Sequence, residues 1–215
     1  MSLNFSVFKN ELSILANLGK LAENYLHSDP NTSLYKLRIF CEKLVDFIFS
    51  KECLKKPYTD TLNEKLRILK YESILPFDLI NYLHKVKNFG NKAVHENFGN
   101  YQSALLALKL TYKLAKHIAY TYLKIDIRKQ DFNIPPKKAD IAEIEKTENQ
   151  TKNLEQKFSK LISEKNKISN KEKEEIRKRS IIASDTIPRT EAETRILIDE
   201  QLKEAGWIAD SENVK

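Results

Sequence analysis

A chain of 215 residues that is 41% hydrophobic and 31% charged is long enough to bury a core over at least part of its length. Only 4 glycines stand among many Leu, Lys, Glu and Ile residues, which favours long helices over a turn-rich sheet and makes the expected fold class all-α. The formal net charge is +7, with 20 basic against 13 acidic residues through Pro135 and 17 against 17 after it. An excess of this size permits weak, salt-sensitive phosphate contacts but does not require DNA as a partner.

The opening MSLNFSVFKNELS lacks a basic start followed by an apolar run, and nowhere do eighteen apolar residues run together. A cytoplasmic address and no membrane partner are expected. From Phe5 to about Leu123 the apolar residues recur at steps of three and four, as in Phe8, Leu12, Leu15 and Leu18. The pattern predicts five helices, at 5–28, 33–52, 61–72, 76–95 and 100–124. The break SDPNTS offers Asn31, Thr32 or Ser33 as cap of the second. Pro57 and Pro76 mark the next two boundaries, because proline has no amide donor and fits only a first helical turn.

The fifth segment is apolar nearly all round, which suits a central helix of a bundle or a dimer interface. Its His117, like His27 and His84, reads as an isolated surface or capped residue. Cys41 and Cys53 lack the spacing of a metal-ligand pair and are expected to be reduced thiols. Tyr35, Lys36, Lys43, Lys55, Lys56, Lys85 and Lys92 are candidates for a basic surface, with a solvated face as the plainer role.

The pair Pro135-Pro136 ends any helix, and residues 138–180 are about half charged with few aromatics. This stretch is expected to be a long helical arm rather than a globular domain. Its sparse apolar positions, Ile144, Thr147, Thr151, Leu154, Phe158, Leu161, Lys165 and Ile168, step like a weak coiled-coil seam, through which a homodimer could form. Beyond Ile187-Pro188, Thr190 with Glu193 makes a capping box, Ile198, Leu202 and Ala205 form a stripe, and Gly206 is placed to stop the helix. One such helix cannot bury its own face, so it must dock on the first domain or on a partner outside these residues.

The stretch TEAETRILIDEQLKEAGWIAD resembles the first helix of the nuclease domain in R subunits of type I restriction-modification enzymes. Glu191, Thr194, Arg195, Ile198, Asp199, Leu202, Ala205, Gly206 and Trp207 carry that resemblance. The helices before it resemble the domain that often precedes this nuclease, itself related to the HEPN group of helical domains, through LRIFCEKLVDFIF and LHKVKNFGNKAVH. The division implied is an HEPN-like bundle at 1–130, a charged helical linker at 131–187 and the start of a nuclease domain at 188–215. The resemblance further implies docking to a methyltransferase-specificity core, with DNA as a further partner. Mg²⁺ and ATP would serve a full-length R subunit only, because these residues hold no PD-(D/E)xK set and no GxxxxGK[ST] loop. On this reading the chain is an N-terminal fragment that neither cuts DNA nor needs a cofactor by itself.

Active HEPN ribonucleases pair an arginine with a histidine in an R-x(4-6)-H motif. Here Asn91 and His95 match, but Gly90 stands where the arginine is commonly found, and Lys87 is one residue too far from His95 to fit the spacing. The favoured reading is a hydrogen-bonded cluster in which Arg38 and Glu42 meet Asn91 and His95, with Lys87 beside them, holding the second and fourth helices at a fixed crossing. A ligand or phosphate site on the same residues is the next reading, and no residue is assigned a catalytic or metal-binding role. The competing whole-chain readings are a stand-alone HEPN-type ribonuclease or RNA-binding defence protein, and a coiled-coil adaptor.

Overall fold

A computed structural model describes residues 3–96, 98–137, 141–163 and 169–188, together with 190, 191, 194, 195, 198, 199, 202, 206 and 207. Among the described residues every regular element is helical, in line with the all-α expectation. A 3₁₀ turn at Ser6–Phe8 leads into α1 (Ser13–Tyr25), α2 (Pro30–Lys51), α3 (Leu62–Tyr71), α4 (Phe77–Glu96) and α5 (Tyr101–Tyr122), followed by α6 (Ile141–Ser163) and α7 (Asn170–Thr186).

The expected first helix begins eight residues late. Phe5 and Phe8 are fully buried and meet Phe40 edge-on at 5.3 and 5.9 Å, so the segment before Ser13 plugs the core instead of continuing the helix. The cap of α2 is Asp29, not Asn31, Thr32 or Ser33. Its carboxylate accepts the Thr32 backbone N–H at 3.0 Å, and Pro30, whose missing donor is harmless there, takes the first turn. Asn100 caps α5 in a reciprocal exchange with Ser103.

α2 packs on α1, α4 and α5, and the apolar faces of α2 and α5 supply the centre of the core, including Leu37, Phe40, Leu44 and Ile48 with Leu108, Leu114 and Ile118. The all-round apolar character of α5 is thus accounted for from within one chain.

The charged stretch after the proline pair is helical but does not extend away as an arm. α6 lies on α1 and α2, and α7 lies on α5. The expected seam is taken up by the bundle, since Thr147, Thr151 and Phe158 are buried and Leu154 packs on the core. The two threonines fit there because each hydroxyl donates to the carbonyl one turn back, Glu143 and Thr147, at 2.7 Å, leaving the methyl for packing. Lys165 and Ile168 of that seam lie outside the described residues, as do Glu193 and Ala205 of the last predicted helix. Gly206 there has φ +85°, and the Trp207 N–H donates to the Leu202 carbonyl at 2.9 Å, the bond that closes a helix C-terminus.

Candidate functional site

Gly90 sets the site. α4 crosses α2 so closely that a Cβ at position 90 would stand 2.5 Å from Cβ of Arg38, a contact that only glycine permits. The crossing brings Arg38 and Glu42 of α2 beside Lys87 and Asn91 of α4, and the start of α3 closes a third side. The result is a cleft of about 490 Å³ lined by ten of the described residues, among them these four, Asp46, Asp60 and Lys65.

Within it the Arg38 Nε donates to Glu42 Oε1 at 3.0 Å, one helical turn apart. Lys87 Nζ donates to the Asn63 side-chain carbonyl at the first turn of α3. Lys65 is held between two carboxylates, with Asp46 and Asp60 oxygens each at 2.6 Å. Burial alone would pull the Lys65 ammonium down, but the two hydrogen-bonded carboxylates outweigh it and its pKa is raised. The hydrogen bond from Lys65 in turn holds the Asp60 carboxyl below its ordinary value.

Four of the five residues expected to cluster therefore share one cleft. His95 does not join them: it is exposed in the last turn of α4 and is absent from the cleft lining. Asn91 and His95 are four apart on a helix, yet α4 runs past α2 before His95 is reached.

The expected basic surface is divided. Lys36 and Lys43 face α6, where Lys36 pairs with Glu148 at 2.7 Å and Lys43 reaches Glu155 at 3.6 Å and the Phe158 ring at 5.7 Å. With Lys20–Glu143 at 2.7 Å they form a ladder that seats α6 on the bundle. Lys85 lies over Phe89 and Lys92 over Phe98, at 4.7 and 5.0 Å, while Lys55 and Lys56 are exposed in the loop before α3, Lys56 near Asp60. Tyr35 is exposed on α2.

A second polar cluster had no sequence signal. Glu52, at the end of α2 and 3% exposed, accepts both Arg177 terminal nitrogens at 2.9 Å and the Tyr122 hydroxyl at 2.7 Å, tying α2, α5 and α7 together. Also between α5 and α7, His117, which reads as a surface residue in the sequence, is fully buried with Nε2 3.1 Å from Ser180 Oγ. Burial in this apolar surround lowers its pKa to about 4. The all-round apolar helix that carries His117 was the one clue to its burial. Glu52 and Arg177, 125 positions apart, offered none. His27 is half-buried, stacked on Tyr101 with Nε2 3.0 Å from the Pro135 carbonyl oxygen, and so pins the proline pair to the bundle.

Among the described residues, no group of three or more His, Cys, Asp or Glu side chains could hold a metal ion, and no helix is long and apolar enough to cross a membrane. Over 132 residues the chain is 28% identical to the type I restriction enzyme EcoKI endonuclease subunit of Escherichia coli (strain K12). That match covers 61% of this chain and 11% of the relative's length. No family model and no solved structure matches the chain.

Proposed function

We propose that this chain serves as the N-terminal accessory module of a type I restriction endonuclease subunit, a helical unit that docks the subunit to its methyltransferase-specificity core in defence against foreign DNA. The observation that carries the reading is the 28% identity with the EcoKI endonuclease subunit across 132 residues. The TEAETRILIDEQL-AGW stretch, which resembles the opening of the nuclease domain in such subunits, adds to it. The packing of α6 and α7 supports it physically, because the segment leading to that stretch is seated on the bundle by an ion-pair ladder and a buried Glu52–Arg177 pair. The bundle would thereby fix where a nuclease domain begins.

The HEPN relationship is part of the proposal, without ribonuclease chemistry. His95 is exposed and lacks an arginine at the motif spacing, the group that would meet a scissile phosphate next to it. The test is co-purification with a methyltransferase-specificity core. Retention of the chain under conditions that retain a full endonuclease subunit is expected; loss of the chain while the full subunit binds would refute the docking role. RNA cleavage without added metal, abolished by His95→Ala, would favour the ribonuclease reading instead.

A further inference from the structure

We propose that the cleft between α2, α3 and α4 binds a small phosphorylated sugar, such as the ribose-phosphate portion of a nucleotide. The inference is independent of the docking role and rests on how the cleft's polar groups are used. Among the described residues Arg38 spends only its Nε, on Glu42, and its two terminal nitrogens have no protein acceptor. The Asn91 side-chain amide on the facing helix makes no hydrogen bond to the described residues either. Lys87 stands one turn from Asn91, and Leu62 and Asn63 of the first turn of α3 are on the same lining. A guanidinium fork, an ammonium, an amide donor and a helix N-terminus facing one concavity suit a tetrahedral oxyanion.

The remaining lining decides what the oxyanion is attached to. Asp46 and Asp60 occupy the side held by Lys65, with Asp60 half exposed and able to accept from further donors. These carboxylates, with Glu42, balance the three cations of the lining, which disfavours a polyphosphate or a continuous nucleic-acid backbone but suits a ligand with one anionic end and hydroxyl donors at the other. Among the described residues no aromatic side chain lines the cleft, so stacking of a base, the usual means of holding single strands, has no platform there. The volume of about 490 Å³ falls within the range of small-molecule sites.

Calorimetric titration of the purified chain with ribose 5-phosphate tests this, with inorganic phosphate, ribose and a short DNA duplex as controls. Saturable binding of ribose 5-phosphate, tighter than either half, is expected. Arg38→Gln should weaken it by about tenfold, the worth of one charge-assisted contact to phosphate. Asn91→Asp, which keeps the shape of the side chain but adds an anion, should abolish it while leaving the unliganded chain folded, and this arm stands even if Arg38→Gln fails to fold. Asp60→Asn should weaken ribose 5-phosphate but not inorganic phosphate. Absence of saturable binding, phosphate binding as tightly as ribose 5-phosphate, or DNA binding indifferent to Asn91→Asp would each overturn the proposal.

Discussion

Replacing Arg177 by methionine isolates the force that holds α7 on the bundle. In the wild type the Glu52 carboxylate is nearly out of water, and its two oxygens receive two guanidinium bonds and one phenol bond. Methionine fills similar volume but leaves a buried anion with, among the described residues, the Tyr122 hydroxyl as its one remaining donor. Breaking a buried pair on one side costs about 3 to 5 kcal/mol, and because the Arg177 side chain is 35% exposed, so that some water reaches the site, the lower end applies, about 3 kcal/mol. For a chain of this size that corresponds to a fall in Tm of about 6 to 12 °C, read by circular dichroism near neutral pH. Adding Glu52→Gln removes the stranded charge and should recover most of the loss. A single variant melting within about 2 °C of wild type, or a double variant no more stable than the single, would show that the pair does not hold α7 as described.

Acid should act at the same interface through His117. Its folded pKa, about 4, lies below the ordinary 6.5, so the folded state takes up the proton less readily than the unfolded one. The stability this represents is whole above about 6.5 and is lost as pH falls towards 4, by about 3 kcal/mol in all; denaturant melts across that range should slope accordingly for wild type and flatten for His117→Gln. Phe158→Ala should cost about 3 kcal/mol and expose α6 to protease, because its ring is buried against the bundle. The triple change Glu143→Gln, Glu148→Gln and Glu155→Gln should cost less than about 2 kcal/mol, the worth of partly exposed pairs. Gly90→Ala should lower stability by about 1 to 3 kcal/mol, since the new methyl meets Cβ of Arg38 on a packed helix. His95→Ala at its exposed position should stay within about 0.5 kcal/mol of wild type by thermal melt.

The first five helices were legible because amphipathic spacing and prolines are local signals. The predicted 76–95 and 100–124 lie within two residues of the observed Phe77–Glu96 and Tyr101–Tyr122. The start of α1 was not legible, because the same apolar spacing in Phe5, Phe8 and Leu12 serves a plug as well as a helix. At the candidate site, Gly90 and the pairing of α2 with α4 could be read, since a glycine amid helical spacing signals close approach. The exclusion of His95 could not, because it depends on where one helix leaves another.

The seam shows most plainly where the division falls. Its period in Thr147, Thr151, Leu154 and Phe158 determined that a helix would bury that face. Tertiary structure decided that the chain's own α1 and α2 cover it, through Lys20, Lys36 and Lys43. Periodicity records which face leaves water but carries no address for the surface that covers it. Likewise α5 declared itself buried, but only the fold could bring Ser180 to His117 and Arg177 to Glu52, since a contact between residues distant in the chain leaves no mark on the spacing of either.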